Sequence, residues 1–149
     1  MCLHLGQRKL LLTEVHFLTK YSHLSKNIVY AGAAPGHHID FLSVLFPNHL
    51  FYLYDPREFA IQETDNIHIF QKYFEINDIV NIDSFIFISD IRQEINVNMS
   101  QDEISNIVIQ DMELQKKWVT KIEPTISLLK FRMPLLDDTY EYLSGDILE

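Results

Sequence analysis

The fold of this chain is decided by the stretch Ile28-Val29-Tyr30-Ala31-Gly32-Ala33-Ala34-Pro35-Gly36-His37-His38-Ile39. The stretch begins with residues that favour β-structure, continues with small residues and glycines, and leads into the amphipathic segment 40–46. This order predicts a strand, a tight turn and a helix, the arrangement by which α/β folds present backbone N–H groups and a positive helix end to a ligand. Gly32 and Gly36 would let the backbone pass close to a bound molecule. The loop matches neither the dinucleotide-binding pattern nor the P-loop pattern, and a turn without a ligand remains the alternative.

Composition indicates one soluble domain. The chain has 149 residues, enough to bury a core, so we expect a single domain over residues 1–149. Its hydrophobic share of 47% and charged share of 22% are ordinary for a globular protein. No apolar run approaches the ~20 residues that a membrane span needs. The only cysteine, Cys2, has no partner for an internal disulfide, which suits a reducing, intracellular compartment.

The charge of the chain excludes one class of function. A formal net charge of −9 argues against broad, sequence-independent binding of nucleic acid, which depends on many Lys and Arg contacts to phosphate. A small basic groove on an otherwise acidic protein remains compatible with this net charge. The 7 histidines show no metal-ligand spacing, so we predict no metal site.

The order of predicted elements indicates a parallel sheet. Ser100 followed by Glu103 matches the capping-box pattern and predicts the start of the longest helix at this point. Strands that alternate with helices form parallel sheets with crossover connections. We predict helices over 7–24, 37–46 and 100–122, a helical turn over 76–80, a short helical segment from Pro134, and strands over 27–33, 49–54, 67–71, 84–89 and 127–132.

Polar residues follow several of these strands, at the edge of the sheet where α/β proteins bind ligands. Asp55 comes 19 residues after Gly36, the position from which a carboxylate grips the ribose hydroxyls of a nucleoside cofactor. Its alternative role is a turn former or helix cap. Asp90 and Lys130 each follow an apolar strand. Because a partly buried ammonium is costly unless paired, we predict that these two residues pair at the site, the alternative being a structural ion pair at the sheet edge.

Four motifs, in order along about Leu10 to Asp146, carry a resemblance to a known family. They are Phe17-Leu18-Thr19-Lys20, Val29 to Ile39, Ile88-Ser89-Asp90-Ile91-Arg92, and Leu129-Lys130-Phe131-Arg132-Met133-Pro134. The chain resembles the poxvirus-type cap-specific mRNA 2′-O-methyltransferases, whose members also act as the poly(A) polymerase regulatory subunit. More broadly it is similar to FtsJ-like RNA ribose methyltransferases. The resemblance implies a Rossmann-like, S-adenosylmethionine-dependent methyltransferase fold: an α/β fold with a mostly parallel sheet and flanking helices, here lacking the last strands.

The resemblance also implies roles for individual residues. The family uses a Lys-Asp-Lys-Glu set, and the resemblance assigns Lys20 to position the 2′-oxygen, Lys130 to act as base and Asp90 to orient Lys130. The family's glutamate lies on a late strand that has no match before Glu149. The implied contacts to S-adenosylmethionine are Tyr30, Gly32, Ala33, Pro35, Gly36, His38, Asp55, Arg57 and Phe74. The implied contacts to RNA and cap are Arg92, Arg132 and Asp137.

The function that the resemblance implies is 2′-O-methylation of RNA ribose at the capped mRNA 5′ end. It further implies the poly(A) polymerase catalytic subunit as a partner, no DNA or membrane partner, and a location in the host cytoplasm or the virion. Two alternatives stay open. One is a non-catalytic regulatory or scaffolding subunit of viral mRNA processing that retains the fold, and the other is methylation of uncapped RNA.

Overall fold

The structure is a computed structural model that describes residues 5–91, 93 and 96–130, and the account below concerns these residues. Two short 3₁₀ helices, Ser22–Leu24 and Ile76–Ile79, lie among the longer elements. The longer elements in chain order are α1 (Leu5–Tyr21), β1 (Asn27–Ala31), α2 (His37–Leu45), β2 (Leu50–Tyr54), β3 (Ile67–Phe70), β4 (Ile86–Ser89), α3 (Gln101–Ile122) and β5 (Ile126–Leu129).

The strands within this part of the chain form a five-stranded sheet in the order β3-β2-β1-β4-β5. Every neighbouring pair is parallel. From β1 the chain first builds outward through β2 and β3, and then returns to place β4 on the other side of β1. A reversal of this kind leaves a crevice at the carboxyl ends of the two central strands, where such sheets bind ligands. The predicted α/β class with a parallel sheet is confirmed.

Alternate residues of the strands enter two apolar clusters, one on each face of the sheet. Ile28 and Tyr30 of β1 belong to the cluster that α1 and α2 cover. Val29 of β1 belongs to the opposite cluster, which includes Trp118 of α3. All four residues of β4 are buried, as predicted for a strand that is apolar on both faces. The result is a three-layer molecule in which helices cover both faces of the sheet.

The predicted helices and strands differ from the observed ones mainly at their first and last residues. The helix predicted over 7–24 is α1 followed by a 3₁₀ turn. The predicted N-cap is confirmed, since Ser100 Oγ accepts a hydrogen bond of 3.1 Å from the Glu103 N–H. The prediction of a buried strand at 127–132 is wrong in its burial, because β5 pairs only with β4 in the described sheet and is half-buried. The segment predicted from Pro134 lies outside the described residues. None of the described helices has the length and apolarity to cross a membrane.

Candidate active site

The first position of the loop after β1, Gly32, must be a glycine because the backbone at Asp90 passes close to it. Its φ is +80°, and a Cβ built on it would lie 2.7 Å from the carbonyl oxygen of Asp90. The Asp90 N–H in turn donates to the Ala31 carbonyl at 2.9 Å. The close approach expected for a ligand is therefore made by the segment that carries Asp90, and the loop and Asp90 are one packed unit.

The first N–H groups of the loop are already bonded within the protein. Gly32 and Ala33 donate to the carbonyl of Tyr54 at 2.8 and 3.3 Å. Ala34 donates to Asp55 Oδ2 at 3.1 Å. The expectation that the loop presents its N–H groups to a ligand is therefore wrong for these three residues, whose donors fasten the loop to the end of β2.

The second half of the loop leads directly into α2. The Ala34–Pro35 peptide is cis, and the Pro35 carbonyl accepts from the Ala60 N–H at 2.9 Å. Gly36 has a φ of +88° and is the N-cap of α2, and a Cβ built on it would lie 3.1 Å from Ile61 Cδ1. This half of the loop is therefore shaped by its packing against residues 60–61.

Asp55 lies at the carboxyl end of β2, where the sequence predicted it, and is 2% exposed. Its Oδ1 accepts from the backbone N–H and the Nε of Arg57 at 2.8 and 3.0 Å. Its Oδ2 accepts from Arg57 Nη2 at 2.7 Å and from the Ala34 N–H. A carboxylate has about four acceptor positions, so this one is fully used. Since the Arg57 side chain is 49% exposed, it is the partner that can leave when another donor arrives.

Tyr30 and His38 belong to a buried polar network beneath the loop rather than to an open face. Tyr30 Oη donates to Glu14 Oε2 at 2.8 Å and lies 3.2 Å from His38 Nε2, which lies 3.0 Å from Glu14 Oε1. The Gln7 side-chain oxygen accepts from the His38 N–H at 3.1 Å and lies 2.8 Å from His38 Nδ1. Side chains of α1 thus hold the first turn of α2, and any effect of Tyr30 or His38 on a ligand acts through the loop.

Two members of this network have shifted pKa values. Burial raises the pKa of the Glu14 carboxyl above its ordinary value, while the hydrogen bond with His38 works in the opposite direction. Burial, together with the neighbouring Glu14 charge, raises the pKa of Tyr30 well above its ordinary value. Sequence reasoning missed Gln7 and Glu14. The available signal was two polar residues seven positions apart on the apolar face of a predicted helix.

Asp90 and Lys130 form the predicted pair. Lys130 Nζ lies 3.0 Å from Asp90 Oδ1, and the Lys130 side chain is 27% exposed. Within the described part of the chain this buried oxygen accepts no hydrogen bond of good geometry, so its contact with Lys130 is an ion pair. The pair lies at the carboxyl ends of β4 and β5, beside the backbone contact between Gly32 and Asp90. A partly exposed ammonium held by a buried carboxylate can exchange a proton with a molecule in the crevice.

Lys20 does not join this pair. It lies in the last turn of α1, exposed, with its Nζ 5.3 Å from the ring centre of Tyr21. The residues just after it lie at the amino ends of the strands, because the Ser22 carbonyl is 2.8 Å from His49 Nε2 and the Lys26 carbonyl accepts from the Leu50 N–H. The helix rises about 1.5 Å per residue, which puts Lys20 about 20 Å along the axis from Gln7. The structure thus places Lys20 at the end of the molecule opposite the Asp90–Lys130 pair.

Phe74 is part of the apolar core. Its ring lies 5.1 Å from that of Trp118, 5.3 Å from that of Tyr54 and 5.4 Å from that of Phe87. It is 5% exposed. Trp118 is also buried there, which confirms its prediction as a core residue.

The remaining predicted RNA and cap contacts, Arg92, Arg132 and Asp137, lie outside the described residues. Among those described, no group of three or more His, Cys, Asp or Glu side chains is arranged to hold a metal ion.

Comparison of the sequence with known proteins identifies its family. The sequence model of the poly A polymerase regulatory subunit family matches residues 2–144. The cap-specific mRNA (nucleoside-2′-O-)-methyltransferase of Fowlpox virus (strain NVSL) is 31% identical over 153 residues, covering 89% of this chain and 47% of that protein. The chain therefore spans about half the length of this curated relative.

The chain is also similar to solved structures. One of them is that of bluetongue virus VP4, described as a multifunctional RNA-capping production line, with a TM-score of 0.47 and 14% sequence identity over 62% of this chain and 16% of the other. The family assignment does not depend on this likeness, because the family match covers nearly the whole sequence. This chain belongs to the poly A polymerase regulatory subunit family.

Proposed function

We propose that this chain is an S-adenosylmethionine-dependent RNA ribose 2′-O-methyltransferase that acts on the capped 5′ end of mRNA. The observation that carries the proposal is the Asp90–Lys130 contact of 3.0 Å at the carboxyl edge of the sheet, directly against the glycine loop. The family membership and the printed activity of the fowlpox relative support it. A location in the host cytoplasm or the virion belongs to the same proposal.

The residues present fit a nucleoside cofactor at this edge. Asp55 is held by two backbone N–H groups, so its carboxylate stays in place if the exposed Arg57 side chain gives way to ribose hydroxyls. The loop over 32–36 would hold the methionine end, and Phe74, which packs in the core against Tyr54 at the end of β2, would lie near the adenine without an open face toward it. When bound, S-adenosylmethionine supplies the methyl group, whose bond to sulfur breaks as its bond to the ribose 2′-oxygen forms, leaving a neutral thioether.

The side chains of this chain then have two tasks, orientation and proton transfer. Lys130 first releases one proton of its ammonium to solvent, and the resulting amine accepts the proton that the 2′-hydroxyl loses. Asp90 fixes the position of Nζ and stabilises the ammonium that forms. Because in-line displacement depends strongly on geometry, holding the 2′-oxygen in place contributes much of the rate.

We propose Lys9, rather than Lys20, as the lysine that positions the 2′-oxygen. The Lys-Asp-Lys-Glu set that the resemblance implies has a second lysine near the Asp90–Lys130 pair. Lys20 lies in the last turn of α1, at the end of the helix away from that pair. Lys9 is exposed and lies two residues from Gln7, whose side chain contacts the first turn of α2. The end of α1 that reaches the site therefore carries Lys9.

The proposal is tested by two measurements on the 149-residue chain. Calorimetry with S-adenosylmethionine should show binding, and labelled methyl should pass to capped RNA. A capped RNA that already carries a 2′-O-methyl group on its first nucleotide is the matched control and should accept none. A folded protein that binds no S-adenosylmethionine, or that labels the control RNA equally, would contradict the proposal.

A regulatory role without turnover is the second candidate, and the family match is the observation that favours it. In this case the chain acts as a scaffold for the poly(A) polymerase catalytic subunit. Such a protein would increase the length of poly(A) tails made by that subunit, and a variant without Lys130 would do so equally well. Cofactor binding without methyl transfer would favour this candidate over the enzyme.

A further inference from the structure

The buried side chain of Gln115 joins the ends of the two strands that carry the Asp90–Lys130 pair. Gln115 lies on α3 and is 0% exposed. Its Oε1 accepts from Ser89 Oγ at 2.7 Å, and its Nε2 donates to the Lys130 carbonyl at 2.8 Å. Ser89 is the last residue of β4 and directly precedes Asp90. One amide thus touches the residue before the carboxylate and the residue that bears the ammonium.

The amide lies at the point where the described pairing of β4 with β5 reaches its last residues. The backbone joins β4 to β5 at this point by one hydrogen bond, from the Lys130 N–H to the Ser89 carbonyl at 3.0 Å. Within the described residues this is the last bond between the two strands, and the Lys130 carbonyl accepts from the Gln115 side chain. A second contact from the same face of α3 lies one turn away, where Asp111 Oδ2 accepts from the Gln93 N–H at 3.2 Å.

Core packing alone does not require a glutamine at this position. The face of α3 around Gln115 buries the apolar Met112 and Trp118 as well as the polar Asp111, and a leucine has a volume similar to that of glutamine. A buried amide stabilises a site only when both of its ends are satisfied in good geometry. Here both ends are satisfied by groups that adjoin the pair, which makes the amide specific for one spacing of the two strand ends.

We infer that Gln115 is a positioning residue: it sets the separation of Asp90 Oδ1 and Lys130 Nζ by tying together the ends of β4 and β5. The inference rests on the proposed function, because it assigns Gln115 a role in proton transfer through Lys130. Gln115 itself touches neither the reacting atoms nor the cofactor. Displacing a catalytic group by about 1 Å can cost about 100-fold in rate, so loss of the amide should act on kcat.

The test compares three variants of the full chain in methyl transfer to capped RNA. Gln115→Leu removes both hydrogen bonds, and Ser89→Ala removes one of them without changing α3. Ile122→Ala is the control for general destabilisation, because it opens the core about two turns away, at the last residue of the same helix. We expect Gln115→Leu to lower kcat about 10- to 100-fold and Ser89→Ala about 3- to 10-fold, with the Kd for S-adenosylmethionine unchanged within about twofold in both.

Two results would overturn the inference. One is a kcat for Gln115→Leu within about twofold of wild type, and the other is a parallel loss of kcat and cofactor affinity that Ile122→Ala reproduces. If Gln115→Leu does not fold, Ser89→Ala decides by the same criteria.

A crystallographic measurement separates this inference from the proposed function. If the wild-type chain transfers no methyl group, the proposed function fails, and the role of Gln115 is decided by the distance from Lys130 Nζ to Asp90 Oδ1 in crystals of wild type and Ser89→Ala. A separation that opens from 3.0 Å supports the positioning role, and an unchanged separation contradicts it.

Discussion

At the scale of the residue, Gly32 shows how closely the loop and the pair depend on each other. A Cβ at Gly32 would lie 2.7 Å from the Asp90 carbonyl oxygen. Because that oxygen belongs to the backbone, this clash is relieved only if Asp90 moves. A Cβ at Gly36 would meet the end of the Ile61 side chain at 3.1 Å, and a side chain can yield. Both glycines have φ near +80°, so they share the strain that a side chain adds to this conformation.

This difference predicts the effects of two alanine substitutions. Both Gly32→Ala and Gly36→Ala should lose about 1–2 kcal/mol of unfolding free energy from backbone strain. Gly32→Ala should also lower methyl transfer at least about 10-fold more than Gly36→Ala, because it alone displaces Asp90. Urea unfolding and steady-state kinetics measure the two effects. Equal losses of methyl-transfer rate in the two variants would show that the contact between Gly32 and Asp90 does not affect the reaction.

The assignment of the first lysine gives a second prediction at this scale. Lys9→Met should lower methyl transfer about 100-fold, the usual loss when one charged donor leaves a reacting centre. Lys20→Met should change it by less than about twofold, since it is an exposed residue at the far end of α1. The reverse order of effects would return the role to Lys20.

Residue-level prediction from sequence succeeded where a residue's place follows from a strand end. Asp55, Asp90 and Lys130 all follow apolar strands, and parallel strands bring their carboxyl ends to one edge. Lys20 is placed away from the pair, which the sequence could not indicate because a motif on a helix does not say which end of that helix reaches the site. That information came from the contacts of Gln7 and Ser22 at opposite ends of α1.

At the scale of the element, the buried network of Gln7, Glu14, Tyr30 and His38 fastens α1 to β1 and α2. Periodicity predicted the three elements, and the alternation of strands and helices predicted their order. It could not predict this network, because the network needs the packing distance between two helices on the same face of the sheet. Its consequence is that the loop over 32–36 is held from both the sheet side and the helix side.

Glu14 makes the stability of this unit depend on pH. Its pKa in the folded chain is raised above the value of 4.5, so the folded chain holds the proton more tightly than the unfolded chain. The stability from this group is fully present below pH 4.5 and is lost as the pH rises through the folded pKa. Urea unfolding over a pH series should therefore show wild type losing stability relative to Glu14→Gln as the pH rises. A difference that is constant, or that grows in favour of wild type, would show that Glu14 does not hold this proton.

At the scale of the whole molecule, charge limits how RNA can bind. Because a chain with a net charge of −9 repels a polyanion, our proposal expects RNA phosphates to meet the chain near Lys130 and the amino end of α1 rather than along an extended surface. With contacts to about three phosphates, the logarithm of the binding constant for single-stranded RNA should fall with the logarithm of salt concentration at a slope of about −2. Fluorescence titrations measure this slope. A slope steeper than about −5 would indicate an extended RNA track instead.

The central claim is that the Asp90–Lys130 pair beside the glycine loop is a methyl-transfer site, and Lys130→Met tests it most directly. Its matched control is Lys117→Met, at an exposed lysine of α3. With capped RNA and labelled S-adenosylmethionine, wild type and the control should transfer methyl at rates within about twofold of each other. Lys130→Met should transfer about 100-fold more slowly or less while binding the cofactor as wild type does. A Lys130→Met protein that transfers methyl at the wild-type rate would contradict the account.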